Sequence, residues 1–284
     1  MPELKVDENG FVTEDDFEEW IVSVEVEAAK LLGDAAADIA EKHLNMYVDT
    51  LVASGDPSVF DGMTALWQVV VDEFLSLGVN PLYLQGSIGA QLGAPLMPID
   101  LLATWTEVVN VNAAAYVMTA SNRIVGASSS IWSQVQFAAE QAISVGVEIP
   151  KLRAEVEQIT GYARVRAQAI ARTETIGAYN AGDIEGARAL GEYGPVEKSW
   201  LATFGPRTRD SHAEANGQTV LMEESFIVGG VAMDRPLDPS GPANEVVNCR
   251  CVMQMFFVGD TRPDGTTIEA VAAEVPEAAV LPSP

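Results

Sequence analysis

The segment from Trp200 to Gln218 concentrates residue types that are scarce in the rest of the chain, and it constrains the fold most strongly. Its sequence, WLATFGPRTRDSHAEANGQ, contains a Trp, two Arg and one of the two His residues among 284 positions. Both cysteines of the chain follow in the run Asn248-Cys-Arg-Cys. Gly-Pro and Asn-Gly pairs mark turns, and apolar runs such as SFIV and VMQMFFV are typical of short strands. The region therefore predicts a compact, turn-rich unit of short antiparallel strands.

Four strands are predicted in this unit, and each is bounded by residues that favour turns. The strands are expected near residues 197–203, 218–221, 225–228 and 247–257. The turns between them are expected at Gly205-Pro206, Asn216-Gly217, Gly229-Gly230 and residues 238–242.

The rest of the chain is predicted to be mainly helical, because apolar residues recur at spacings of three and four. The helices are expected at residues 13–51, 59–77, 98–145 and 151–180, with a short separate helix at 184–190. Residues 78–81 predict a turn, and the glycine-rich, uncharged residues 81–96 predict an extended loop or an interaction segment. Residues 1–12 are expected to form a flexible arm, and residues 259–284, rich in Ala, Pro and acids, a largely disordered or partner-ordered tail. The predicted fold class is α+β, with a long-helical N-terminal region followed by a small β-containing C-terminal module.

Charge is distributed unevenly along this acidic chain, whose formal net charge is −25. Residues 1–150 contain 22 acids and 4 bases, whereas residues 151–210 contain 8 acids and 9 bases. Nucleic-acid binding depends on Lys and Arg, which displace counterions from phosphates. Any contact with DNA is therefore expected on residues 151–210, while the acidic remainder favours protein partners.

Residues 104–145 are poor in charge and rich in Ala, Ser and Val. Such a helix either packs in the core of its own chain or contacts neighbouring subunits, and the sequence leaves both interpretations open. No apolar run approaches the ~20 residues that a membrane span requires, and the polar start MPELKVDENG has no signal-peptide core. Membrane anchoring is not expected.

Several motifs of this chain occur in a characteristic order. Arg172-Thr-Glu174 near the end of a helix and Lys198-Ser-Trp200 are followed by the run RTRDSHAEANGQ and by the final Asn248-Cys-Arg-Cys. In this order they resemble the phage Mu F-like minor head proteins, a family of head-morphogenesis proteins. The resemblance covers about residues 149–258, leaving 13–148 as a helical region outside it. The family motif comprises Arg172, Glu174, Trp200, Arg207, Arg209, His212, Gly217, Cys249, Arg250 and Cys251.

The resemblance implies a minor capsid protein of a tailed phage. Such a protein is made in the host cytoplasm and built into the capsid interior near the portal. It acts in head assembly, DNA packaging or DNA ejection. Its expected partners are the portal and capsid proteins of the same phage and, in some cases, the packaged DNA. No small-molecule substrate and no catalytic residue are expected.

Cys249 and Cys251 are two residues apart on a predicted strand, so both thiols are expected on one face of it. Together with His212 they would supply three of the four ligands of a tetrahedral zinc site, and the fourth ligand could be Asp210, Asp238 or water. The alternative is that the thiols pack as small buried apolar groups. Zinc is the single cofactor that the sequence suggests.

His212 also admits an enzymatic interpretation. It could act as a general base in a DNA-processing or toxin-like nuclease in which Arg207 and Arg209 bind phosphate. A zinc-stabilised nucleic-acid-binding module is a further alternative. The structural interpretation is a buried network joining the Trp200 strand to the preceding helix, for which we predict an ion pair between Glu174 and Arg207 or Arg209.

Overall fold

A computed structural model describes residues 68–69, 71–93, 99–145, 149–262 and 265–268, together with the isolated positions 23, 26 and 30. The predicted arm at 1–12 lies outside these residues. So does the helix predicted at 13–51, apart from three isolated positions, all helical, and so does most of the helix predicted at 59–77. Among the described residues, no helix is both long and apolar enough to cross a membrane.

Three long α-helices lie within the described residues before the module. Helix α1 spans Asn80–Gly93, α2 spans Ile99–Val145, and α3 spans Ile149–Ala189. Residues 71–74 are helical as well, and they join α1 through a π-helix at Leu75–Val79. Helices α1 and α2 both pack against α3. The segments predicted at 98–145 and 151–180 are therefore helices, as expected from their apolar periodicity.

The turn predicted at residues 78–81 is absent, because the chain remains helical from 71 to 93. Pro81 has no N–H to donate, and it follows directly after the π-helix Leu75–Val79. The N–H of Asn80 bonds the carbonyl of Leu75 across the wider π-turn, so the residue before the proline keeps a helical hydrogen bond. Local turn chemistry is therefore overridden by continuous helical hydrogen bonding.

The extended segment predicted at 81–96 is also wrong, since most of it is helix α1. Its glycines serve helix packing: a methyl group added to Gly86 would overlap the Tyr179 carbonyl of α3. In the same way, a methyl group on Gly182 of α3 would overlap the carbonyl of Tyr83. The Ser87 hydroxyl donates to the Gly182 carbonyl at 2.9 Å across this contact. The glycines permit two helix backbones to approach closely, which compensates for their low helix propensity.

The short separate helix predicted at 184–190 is the end of α3, which runs without interruption to Ala189. The indole of Trp105 in α2 donates to the Gly186 carbonyl at 2.9 Å and holds this part of α3 against α2. A 3₁₀ turn at Gly191–Tyr193 then leads into the β-containing module.

Two small antiparallel sheets form the module. Strands β1 (Glu197–Leu201), β2 (Thr219–Leu221) and β5 (Val252–Phe256) form one sheet in the order β2-β1-β5. Strands β3 (Phe226–Val228) and β4 (Val231–Met233) form a hairpin. Two short helices, α4 (Asp210–Ala215) and α5 (Ala243–Val246), lie between strands. The observed α+β class agrees with the prediction.

All four predicted strands are shorter than expected, β2 and β3 by one residue each. Strand β1 ends at Leu201, and β5 is confined to Val252–Phe256, because residues 247–248 form a turn and the Cys-Arg-Cys run precedes the strand. Strand β4 was not predicted. The Gly229-Gly230 turn, with both glycines at positive φ, pairs it with β3.

The tail predicted from residue 259 is wrong for the residues of it that the structure describes. Residues 259–262 and 265–268 fold back on the module, and Thr261 pairs with Thr267 in a β-bridge. Ile268 is buried, and Arg262 forms a bidentate ion pair with Glu197 of β1 at 2.6 and 2.8 Å. The residues after 268 lie outside the described part of the chain.

One continuous apolar core joins the helices to the module. Trp200 of β1 is completely buried at its centre, with its ring edge-on to Phe226 at 5.4 Å. Ala178 and Ala181 of α3 belong to the same core, so the last turns of α3 support the module that carries the motif residues.

Candidate functional site

His212 is positioned by the short helix α4. Its backbone N–H and that of Ala213 donate to the carbonyl of Arg209, which starts the helix. The imidazole is 2% exposed and lies edge-on to the Trp200 ring at 5.7 Å. Packing of α4 against β3, together with the ring contact to Trp200, therefore directs the ring of His212 into the module.

The two cysteines reach the same place from a turn. Asn248 adopts a φ of 63°, a left-handed conformation that Asn tolerates better than most residues. Its N–H donates to the Thr173 hydroxyl at 3.0 Å, which anchors the turn on α3. Cys249 and Cys251 are buried free thiols. Because both precede β5, the prediction that they share one face of a strand is wrong; it is the turn that brings them together.

The three side chains converge at one point. Nδ1 of His212 is 3.3 Å from Sγ of Cys251 and 3.6 Å from Sγ of Cys249. The backbone N–H of Cys251 donates to Sγ of Cys249 at 3.3 Å. One ligand atom from each side chain lies within 4.8 Å of the others. Two sulfurs and one imidazole nitrogen therefore face a common centre.

Glu245 of α5 lies on the opposite side of the imidazole. Its Oε2 is 3.1 Å from Nε2 of His212 and accepts from the Ser211 hydroxyl at 2.8 Å. Its Oε1 accepts from the Asn244 amide at 2.8 Å. This buried carboxylate was not predicted, because its only signal in the sequence is an acid four residues before Cys249. A carboxylate beside Nε2 favours the tautomer with its proton on Nε2, so that Nδ1, which faces the thiols, can accept a hydrogen bond or bind a metal.

The two thiols differ in acidity. The pKa of Cys251 is lowered to about 5, first by its hydrogen bond with Cys249 and then by His212, against an opposing effect of burial. Burial is the main cause of the raised pKa of Cys249. This pair therefore shares one negative charge more readily than two.

The cluster forms one wall of a cavity of about 280 Å³, which we call the arginine-lined cavity. His212, Cys249 and Cys251 lie at its inner side, and arginines surround them. The lining residues that belong to the predicted motif are Arg172, Arg207, Arg209, His212, Cys249, Arg250 and Cys251. The structure thus brings seven of the ten motif residues to one cavity, although the thiols and the imidazole themselves are buried.

Two of these arginines also hold the cavity together. The Arg172 guanidinium donates to the Asn248 side chain at 2.8 Å, and the Arg209 guanidinium donates to the Val247 carbonyl at 2.5 Å. Both bonds are directed at the turn that carries the cysteines. The positive charges of these two guanidinium groups therefore lie beside the thiols, and both groups line the cavity.

The remaining three motif residues lie elsewhere. Trp200 supports His212 from the core. Gly217, at a φ of 77°, makes the turn before β2, and its N–H donates to the Trp200 carbonyl at 2.8 Å. Glu174 faces α2 and not the module.

The ion pair predicted between Glu174 and Arg207 or Arg209 is wrong. Glu174 instead accepts from Arg123 of α2 at 2.6 and 3.0 Å. Residues two apart on a helix point in different directions. Arg172 therefore reaches the module while Glu174 is directed towards α2, away from the two arginines.

The two acids considered as a fourth zinc ligand have other positions. Asp210 is exposed at the start of α4. Asp238 accepts from the backbone N–H groups of Asp234 and Ser240 within its own loop, at 2.8 and 2.9 Å. Neither belongs to the group of ligand atoms formed by His212 and the cysteines in the described structure.

Comparison with known proteins identifies the module. Residues 133–254 match the family model described as Phage Mu protein F like protein. The match begins within α2 and covers α3 and the module almost to the end of β5. The resemblance to the Mu F-like proteins that was inferred from the motifs is therefore confirmed over residues 133–254.

A second comparison finds a much shorter likeness. The NAD(+)–arginine ADP-ribosyltransferase EFV of Enterococcus faecalis (strain ATCC 700802 / V583) is 37% identical over 82 residues. Those residues are 29% of this chain and 14% of the relative, so the likeness covers one segment of each protein. No solved structure matches the chain.

Proposed function

We propose that this chain is a minor capsid protein of a tailed phage that acts in head morphogenesis from the capsid interior near the portal. The observation that carries the proposal is the Mu F-like match over residues 133–254, which coincides with the module and its supporting helix. The chain contacts portal and capsid proteins there and assists the packaging or ejection of DNA.

Helix α2 provides a surface suited to such contacts. Its exposed apolar side chains include Val108, Val111 and Met118, of which Val111 is 63% and Met118 70% exposed. At 100° per residue these three lie within one third of the helix circumference. The buried face of the same helix, with Trp105, is directed to the core. The buried face fits the interpretation that this charge-poor helix packs in the core of its own chain. We assign its exposed face to another head protein.

The charge of the chain favours contacts with protein over contacts with DNA. A net charge of −25 repels phosphates, so an effect on DNA would act through the portal or capsid protein. An acidic chain also associates readily with basic surfaces of its neighbours.

Co-purification with the portal protein of the same phage tests the proposal. The double variant Val111→Ser/Met118→Ser is expected to reduce the recovered complex by about tenfold or more, because interface centres lose ~1 kcal/mol or more per truncated apolar anchor. Ile227→Ser removes another exposed apolar side chain, that of β3, and is the matched control. Equal recovery of wild type and the double variant would exclude this face of α2 as the contact.

A nuclease is the second candidate, and the arginine-lined cavity is the observation that favours it. His212 and several arginines meet there, as a phosphate-binding active site would require. Incubation of the purified chain with single- and double-stranded DNA, with and without Mg²⁺, tests it. Arg207 lines the cavity and is exposed, so Arg207→Ala changes the cavity without disturbing the core. DNA cleavage by the wild type that is lost in this variant would favour the nuclease over a purely structural role.

A further inference from the structure

We propose that His212, Cys249 and Cys251 bind a zinc ion, with a fourth coordination position that opens into the arginine-lined cavity. This assignment goes beyond the proposed role in the head, because it concerns a metal site that a head protein need not have.

The distances within the cluster fit tetrahedral zinc. With Zn–S bonds of about 2.3 Å and Zn–N bonds of about 2.0 Å, a sulfur and a nitrogen bound to one zinc lie about 3.5 Å apart. Nδ1 of His212 is 3.3 Å from one sulfur and 3.6 Å from the other. The side chains therefore need only small movements to accept the ion.

The route of the chain argues against simple apolar packing of the thiols. Cys249 and Cys251 come from a turn that begins with a left-handed Asn248, and His212 comes from a separate helix 37 residues before Cys249. Thiols that serve as small apolar groups need only hydrocarbon neighbours. Here both face an imidazole nitrogen, which is a metal ligand of the same class.

The groups around the cluster support metal binding. A histidine that ligates zinc through one nitrogen usually donates its other N–H to a carboxylate. Glu245 is such a carboxylate, 3.1 Å from Nε2, and Ser211 holds it in place. The N–H of Cys251 donates to Sγ of Cys249, which stabilises the thiolate that zinc requires.

The fourth position follows from the surroundings of the cluster. Among the described residues, no further His, Cys, Asp or Glu has a ligand atom close enough to join the group of His212, Cys249 and Cys251. The cavity borders the sulfurs directly, and Arg172, Arg207 and Arg209 add positive charge to it. Three protein ligands with a fourth position open are typical of zinc that binds water or substrate. The expected fourth ligand is water or an anionic oxygen, such as that of a phosphate group.

Metal analysis of the folded wild-type chain tests the assignment. After purification without added metal, mass spectrometry is expected to find about one zinc per chain, and replacement by Co²⁺ is expected to give thiolate-to-cobalt charge-transfer absorption. Glu245→Gln should weaken zinc binding by about 10- to 100-fold in competition with a chelator, because the imidazole loses its orienting carboxylate. His43→Gln removes the other histidine of the chain and should leave zinc binding unchanged.

Two further measurements examine the ligands and the open position. Zinc should protect both cysteines from iodoacetamide, since coordinated sulfur is a poor nucleophile. Inorganic phosphate should shift the visible bands of the cobalt form, whereas unchanged bands would show that the fourth position is closed.

A folded wild-type chain, verified by circular dichroism, that binds neither zinc nor cobalt would overturn the proposal, and no variant has to fold for this result. Fast alkylation of Cys251 in excess zinc would also overturn it, in favour of a reactive thiol paired with His212. Metal content is independent of incorporation into the head, so either proposal can fail without the other.

Discussion

Glu174 of α3 accepts both hydrogen bonds of a bidentate ion pair from Arg123 of α2, across 51 residues of sequence. Arg123 also lies over the Tyr116 ring at 5.4 Å. The pair joins the long helix that carries the exposed apolar face to the helix that supports the module. Bidentate pairs between Arg and a carboxylate are directional as well as strong. The contact therefore fixes how α2 lies against α3.

Removal of this carboxylate should destabilise the chain. Glu174→Ala leaves a half-buried guanidinium without its main partner, which is expected to cost on the order of 2 kcal/mol. Urea denaturation measures the change in the free energy of unfolding. Glu185→Ala is the matched control, because its ion pair with Arg188 at 3.5 Å is more exposed and should contribute less than ~1 kcal/mol. Equal effects of the two substitutions would contradict the role given to Glu174.

The close contact between α1 and α3 should not tolerate a methyl group. Gly182→Ala places its Cβ against the Tyr83 carbonyl, which cannot move without displacing a helix. We expect a loss of about 3 kcal/mol or more, in the range of severe overpacking. Gly126→Ala on α2 is the control, since nothing lies within 4 Å of its Cβ. That change should stabilise the chain by about 0.5 to 1 kcal/mol through helix propensity, as thermal unfolding would show.

The buried cation of Lys198 depends on Asp234. Its ammonium has no exposure and donates to the side chain and the carbonyl of Asp234 at 2.6 and 2.8 Å. Asp234→Ala should cost about 3 to 5 kcal/mol, because it leaves a buried charge without its counterion. Lys198→Met removes the charge itself and should be much less harmful. Chemical denaturation of both variants measures the difference, and a larger loss for Lys198→Met would contradict this account.

Stability should decrease as the pH rises towards 8, because of Asp183. Burial raises the pKa of this α3 carboxyl to about 8, and Tyr179, whose own pKa is raised mainly by burial, is an ionisable neighbour. A carboxyl whose folded-state pKa exceeds its unfolded value of about 3.9 stabilises the fold below pH ~4. That contribution to stability decreases above the unfolded pKa and is lost once the pH has passed the folded-state pKa of about 8.

Asp183→Asn removes this titration and tests the prediction. At pH ~7 the variant is expected to be more stable than wild type by on the order of 2 kcal/mol, with a flatter dependence of stability on pH. Unfolding measured between pH ~5.5 and ~8.5 gives both quantities. The exposed Asp210→Asn variant controls for loss of one carboxylate. If the stability of wild type and of Asp183→Asn depended on pH in the same way, burial of the Asp183 carboxyl would not carry the predicted cost.

Local patterns in the sequence predicted much of this fold. The periodicity of apolar residues located α2 and most of α3, and turn residues located β1, β2 and β3. The glycine-rich segment at 81–96 failed because its glycines act between helices. Only tertiary packing distinguishes a glycine that permits close approach from one that breaks a helix.

The site, too, was predicted only in part: the scarce residue types were found, and the contacts made by ordinary residues distant in sequence were not. The scarcity of His and Cys was sufficient to suggest the set of His212, Cys249 and Cys251, which the structure brings together. The partner of Glu174 was not predictable, because Arg123 lies outside the family motif and on another helix. Glu245 was missed because a single acid carries no pattern until the fold places it behind the imidazole.

Quantitative mass spectrometry of purified virions of the phage that encodes this chain tests the central claim most directly. The account predicts that the chain is present in filled heads, at a few copies for each portal and far fewer than the major capsid protein. Heads assembled without the chain should show reduced assembly, packaging or infectivity. Absence of the chain from washed virions and from their precursors, when the portal protein is readily detected, would contradict the proposed function.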